Sequence, residues 1–202
     1  MFRGFFIAIE GIDGAGLSTH TVLLGDYLSS KGYNVVLTKE PTDGLVGGLI
    51  RAALRGEWKT DPRTLQLLFA ADRSHHLENY IKPALKEGKV VITDRYLFSS
   101  LAYGSLNLDY DWLKKINSKF LLPDVTIILD VDPQEALRRI RKSRFGFELF
   151  EELEKLTKVR ETYKRIAKEY SAYIVNTFRS IDEVHKIKIE IVEKEMSIKF
   201  LK

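Results

Sequence analysis

Nine consecutive residues carry the plainest chemical signal in the chain. A short apolar run, Phe5 to Ile9, is followed by Glu10 and then by Gly11, Ile12, Asp13, Gly14, Ala15, Gly16, Leu17, Ser18 and Thr19. The spacing Gly-x-x-x-x-Gly-Lys-Ser/Thr, which wraps phosphate oxygens, is met at every defined position except one: Leu17 stands where a lysine is expected. Glycines let successive N–H groups curl around an anion, and the helix that follows adds its positive end. Ser18 places a hydroxyl where Mg²⁺ would be met. The alternative is a glycine-rich turn with no ligand; the order strand, loop, helix favours the phosphate cradle. What Leu17 removes is the point charge on the outer phosphates.

Two further groupings extend this chemistry. Asp94, Arg95 and Tyr96 follow the apolar run Val90 to Thr93. An Asp closing a buried strand beside a phosphate loop orients Mg²⁺, and an adjacent guanidinium can clamp a phosphate. The plainer reading makes Asp94 a helix cap and Arg95 a solvated charge. Phe69 and Arg73 stand four apart in a helical stretch, so they project from one face. Together they can stack a base and hydrogen-bond its edge; alone, they read more readily as core and surface ion pair. Finally, Arg138, Arg139, Arg141, Lys142 and Arg144 place five cations in seven residues with no acid between them. Such a run is either a solvated helix face or a lid that closes over phosphates.

The elements that must position these groups alternate along the chain. Strands are expected at 5–9, 35–38, 90–93, 125–129 and 173–175. Helices are expected at 18–30, at 62–85 between Pro62 and Gly88, from Pro133, and after Ile181. Short apolar strands separated by helices predict an α/β fold: a five-stranded parallel sheet with helices on both faces, in three layers. In such sheets ligands bind beyond the carboxyl ends of the strands, which is where the loop, Asp94 and Arg95 fall. No linker, repeat or low-complexity segment is evident, so residues 1–202 are expected to form one domain with a lid at about 138–150.

Composition bounds the reading. The 202 residues are 45% hydrophobic and 30% charged, a globular balance, with a formal net charge of +4. So small an excess does not argue for nucleic acid or membranes; it suits a small anionic substrate. Cysteine is absent, which excludes disulfides and thiolate chemistry. No apolar run is long enough to span a bilayer and no signal-peptide pattern precedes the first strand, so a cytoplasmic location is expected.

Five segments in order resemble the thymidylate kinases, a family of P-loop nucleoside monophosphate kinases. They are the phosphate loop with Asp13; Thr38-Lys39-Glu40-Pro41; Leu68 to Arg73; Asp94-Arg95-Tyr96 with Ser99 to Tyr103; and Pro123-Asp124-Val125 to Asp130. The resemblance implies a P-loop fold with an arginine-rich lid, a homodimer packed through helices, and ATP and dTMP as substrates with Mg²⁺. It implies that Phe69 stacks on thymine, that Arg73 bonds its exocyclic oxygen, and that Asp13 meets the 3′-hydroxyl. Arg95 would hold the acceptor phosphate, and Tyr103 would crowd the 2′ position. Lys39 and Pro41 match a family Arg-Glu-Pro with lysine for arginine, and Gly104 stands where the family often has glutamine. Gly14 and the basic cluster match the family style in which lid arginines, here Arg138, Arg141 or Arg144, supply charge that the loop lacks. Ser18 and Asp94 would meet the metal.

The reaction implied is transfer of the γ-phosphoryl group of ATP to dTMP, giving dTDP and ADP, by alignment and charge neutralisation. The four histidines are expected to be bystanders. Another nucleoside monophosphate or deoxynucleoside kinase, or a non-catalytic nucleotide binder created by Leu17, are the competing readings.

Overall fold

The computed structural model describes residues 4–141 and 149–200. Five parallel strands form one sheet: β1 (Phe5–Gly11), β2 (Val35–Lys39), β3 (Val90–Asp94), β4 (Val125–Asp130) and β5 (Tyr173–Asn176), in the order β2-β3-β1-β4-β5. This is the α/β fold expected from the alternation. Nearly all of β1, β3 and β4 is buried, whereas β2 and β5 lie at the edges, with Leu37 42% and Ile174 46% exposed. Burial on both faces therefore holds for the inner three strands and not for the edge pair, which have a neighbour on one side only.

Helix α1 (Leu17–Ser30) packs on β1, β2 and β3 and against the last helix, α9 (Ile181–Phe200). On the way from β2 to β3 the chain forms α2 (Leu45–Leu54), α3 (Pro62–His76) and α4 (Lys82–Lys86). Helices α5 (Leu97–Gly104) and α6 (Tyr110–Asn117) follow β3, and α7 (Pro133–Arg141) and α8 (Leu149–Tyr170) follow β4. Helices α5 and α8 pack on each other and reach the sheet through β1, β4 and β5.

Helix α3 starts sharply because Asp61 accepts hydrogen bonds from the N–H groups of Arg63 and Thr64 at 2.9 and 3.0 Å, with Pro62 at its first turn. The single helix expected over 62–85 is one rod with a π-helical turn at Leu77–Ile81 before α4. Pro83 supplies the reason: it has no N–H to donate, and its ring crowds the carbonyl four residues earlier. The wider turn absorbs that conflict without ending the rod.

Parallel register sets the functional end of the sheet. Asp94 of β3 lies level with Ile9 of β1 and Lys39 of β2, and Gly11 lies level with Leu129 of β4. The phosphate loop, Asp94 and Arg95 thus leave the sheet side by side.

Candidate active site

The loop between β1 and α1 is shaped by positive φ angles. Gly14 has φ +81°, and a Cβ there would lie 2.5 Å from the carbonyl oxygen of Ala136. Only glycine fits, and the contact seats the first turn of α7, which leads into the arginine-rich segment, against the loop. Gly16 caps α1 at φ 91°. Ser18 Oγ donates to Asp94 Oδ2 at 2.6 Å, so the hydroxyl of the loop and the carboxylate of β3 meet. Two adjacent oxygen donors beside a phosphate loop fit Mg²⁺, which takes few protein ligands and fills its shell with water and phosphate. Among the described residues no cluster of three or more His, Cys, Asp or Glu could hold a metal by itself.

Leu17 is 6% exposed and belongs to the hydrophobic core; one of its methyls lies 3.4 Å from where a Gly11 Cβ would stand. Its side chain is therefore core filling, and what it offers a nucleotide is backbone.

Arg95 occupies the left-handed region at φ 68° without being glycine, a conformation that persists only where its surroundings over-determine it. They do. Its Nη1 donates to the carbonyl of Gly11 at 2.9 Å and to Ser99 Oγ at 3.1 Å, and its Nη2 pairs with Asp13 at 2.7 Å. The guanidinium lies 5.4 Å from the centre of the Tyr103 ring, and the Tyr103 hydroxyl accepts from the N–H of Asp13 at 2.9 Å. Behind it, buried Glu10 accepts from the N–H groups of Tyr96 and Ser99 and from the hydroxyls of Ser99 and Tyr163. Burial pushes the Glu10 carboxyl up to about 7, against the opposing pull of Ser99 and Arg95.

A cavity of about 350 Å³ opens beside this group. Phe69, Arg73, Arg95, Tyr103, Pro41 and Asp13 all contribute to its walls, so the structure gathers six residues scattered over 91 positions of sequence. Arg73 is fully buried at 1% exposure rather than a surface charge. Its Nη2 pairs with Glu40 at 2.7 Å, its Nη1 donates to Asn117 Oδ1 at 2.6 Å, and its guanidinium lies between the rings of Tyr96 and Phe120 at 5.3 and 5.7 Å. Glu40 also bonds His76 Nδ1 at 3.1 Å, and His76 Nε2 bonds Thr38 Oγ at 2.7 Å. His76 is thus no bystander: it stands in the buried network that orients Arg73. Glu40 and Ser100 lie inside the family-like segments without being marked there as parts of the site, and nothing in the local sequence of Asn117 marks it.

Lys39 is not brought into the cavity. Strand alternation sends Thr38 and Glu40 inward and Lys39 outward, where it pairs with Asp43 at 3.1 Å and is 55% exposed. In the basic segment, Arg138 and Arg139 both pair with Glu135, whose carboxyl they draw down to about 2. That acid precedes the two arginines by three and four residues on the same helix. Arg141 closes α7, and Arg144 lies outside the described residues.

The sequence model of the family described as Thymidylate kinase matches residues 9–187. A probable thymidylate kinase of Pyrococcus horikoshii is 43% identical over 201 residues, covering 96% of this chain and 98% of its own length. One from Thermococcus onnurineus is 45% identical, covering 95% and 98%. A crystal structure of thymidylate kinase from Ehrlichia chaffeensis superposes with a TM-score of 0.75 at 32% identity, covering 94% of this chain and 98% of that one. With most of its length matched by the family model and by these relatives, the chain belongs to the thymidylate kinase family.

Proposed function

We propose that this kinase transfers the γ-phosphoryl group of ATP to the 5′-phosphate of dTMP, and that the cavity beside the phosphate loop takes the acceptor. The observation that carries the assignment is the joining of the two compartments: Arg95 lines the cavity and also bonds the Gly11 carbonyl of the loop. A phosphate held by Arg95 would therefore face the loop's anion. Phe69 offers a ring for the base, Arg73 a fixed guanidinium for its edge, Asp13 an acceptor for the sugar hydroxyl, and Tyr103 bulk against a 2′-hydroxyl.

Gly11 to Thr19 would cradle the ATP phosphates with backbone N–H groups, and Ser18 and Asp94 would hold Mg²⁺. The ion, when bound, neutralises charge on the phosphate oxygens. The acceptor oxygen is already anionic, so no strong base is required; alignment by Arg95 and charge spreading by lid arginines (Arg138, Arg141 and Arg144 in the sequence) supply the rest. We further take residues 1–202 as one kinase domain. No helix among the described residues is long and apolar enough to cross a membrane.

Exposed leucines on α2 and α3, namely Leu45, Leu49 and Leu67, supply an apolar surface for the proposed homodimer. A monomer in sedimentation at micromolar concentration would count against it. The reaction is tested by coupled ADP release with dTMP, dUMP, dCMP, dGMP and thymidine as acceptors. Preference for dTMP is expected. Phosphorylation of thymidine in its place would make the enzyme a deoxynucleoside kinase, and ATP binding without turnover of any acceptor would make it a non-catalytic binder.

A further inference from the structure

One buried polar side chain in the cavity wall is left unused by this assignment. Gln66 stands on α3 three residues before Phe69 and seven before Arg73, so all three share one helical face. It lines the cavity, is 6% exposed, and its Oε1 has no hydrogen-bond partner. A buried amide oxygen without a partner is a net cost unless something else satisfies it. The facing helix leaves room for this side chain. At Gly104 of α5, a Cβ would lie 3.2 Å from Gln66 Cδ and 2.8 Å from a methyl of Leu113. Any larger residue at 104 would press on the Gln66 amide, so the missing side chain and the unpaired amide are one arrangement.

We propose that Gln66 determines base specificity: its side-chain amide pairs with the imide edge of the acceptor base, next to the carbonyl that Arg73 meets. The proposal rests on dTMP being the acceptor. Arg73 carries donors only, and Glu40 and Asn117 fix its direction, so it suits a ring carbonyl and opposes an amino group. A thymine bound this way turns its N3–H toward the same wall and needs an acceptor there. Glu40 is committed to Arg73 and His76, and the oxygens of Asn117 and Ser100 are committed to Arg73. Among the buried side chains of this wall the Gln66 amide is the uncommitted group, and a half-turn about its terminal bond lets it present oxygen to N3–H or nitrogen to a flanking carbonyl.

The test compares wild type, Gln66→Leu and Gln66→Asn with dTMP, N3-methyl-dTMP and dCMP, recording KM and kcat for each, the ATP KM and the thermal midpoint. Gln66→Leu should raise the dTMP KM about tenfold or more, the scale of one lost hydrogen bond, with the ATP KM unchanged. The wild-type preference for dTMP over N3-methyl-dTMP should shrink toward one in Gln66→Leu. An unchanged preference, or a dTMP KM within twofold of wild type, overturns the role of Gln66 while leaving the kinase assignment intact. If Gln66→Leu does not fold, the same ratio is read on Gln66→Asn, whose shorter arm should lose most of it; retention of the full ratio there also overturns the proposal. A wild type that fails to phosphorylate dTMP but turns over another acceptor overturns the acceptor assignment, and this proposal with it.

Discussion

Asp94 and Leu17 show how differently single residues in the same loop region can be argued. Asp94 ends β3 and receives the Ser18 hydroxyl at 2.6 Å, so its carboxylate is positioned by the fold before any ligand arrives. Asp94→Asn keeps shape and the bond from Ser18, and removes a negative charge. It is expected to abolish most turnover with the thermal midpoint unchanged; near-normal kcat at saturating Mg²⁺ would remove Asp94 from the metal site. Leu17 behaves in the opposite way. Its side chain is core, so Leu17→Lys would bury an ammonium or force it out through the loop, at a cost in stability. The outer phosphate charge is assigned to the lid arginines instead, and removal of a critical one is expected to cost on the order of 10³-fold in kcat, as for an arginine finger. Leu17→Lys is then expected to leave kcat near or below wild type. An inert wild type rescued by orders of magnitude in Leu17→Lys would show that the lysine's place had simply been left empty.

In the proposed assignment acceptor recognition rests on helix α3, one face of which presents Gln66, Phe69, Arg73 and His76 at helical spacing. Phe69→Ala is expected to weaken dTMP by about 1–3 kcal/mol, one base–aromatic stack, with ATP affinity unchanged. A fall in thermal midpoint with dTMP affinity intact would make Phe69 mere packing. Much of this was legible in sequence. The offset of Phe69 and Arg73, the five strands and the loop all follow from short-range spacing. What spacing cannot supply is what faces the helix. The partners that fix Arg73 lie 33, 27 and 44 residues away, at Glu40, Ser100 and Asn117, and meet it only through sheet order and helix packing. Lys39 fails the same way: the glutamate and proline of its motif are in place, but alternation along β2 turns the lysine to solvent. Residues 45–54, 97–104 and 110–117 form helices too short for an apolar period to stand out in the sequence.

Across the molecule, the layer formed by α1 and α9 hides a charge whose titration couples stability to pH. Lys188 of α9 is fully buried, and its Nζ donates to the carbonyl of His20 in α1 at 2.6 Å. Burial draws its ammonium down from 10.5 to about 7, and burial likewise holds His20 down at about 4, with Lys188 adding to the effect. The sign follows from proton counting. Between about pH 7 and 10.5 the unfolded chain holds the Lys188 proton and the native state does not, so stability rises with pH across that window. Below pH 7 both states are charged and the full desolvation cost is borne by the fold. Lys188→Met keeps the volume and removes the charge. It is expected to stabilise the protein at pH 6.5 by a few kcal/mol, on the order of the shift converted at 1.36 kcal/mol per unit, less the lost bond to His20. That advantage should shrink steadily as pH rises toward 10, because the cost of stripping the proton from the wild-type lysine on folding falls as pH approaches 10.5. Urea unfolding of the two proteins at half-unit intervals from pH 6.5 to 10 measures the difference directly, and the comparison cancels groups common to both, including Glu10. A constant difference across the range would mean that Lys188 keeps its proton in the native state, and that the α1–α9 layer admits enough water to solvate it.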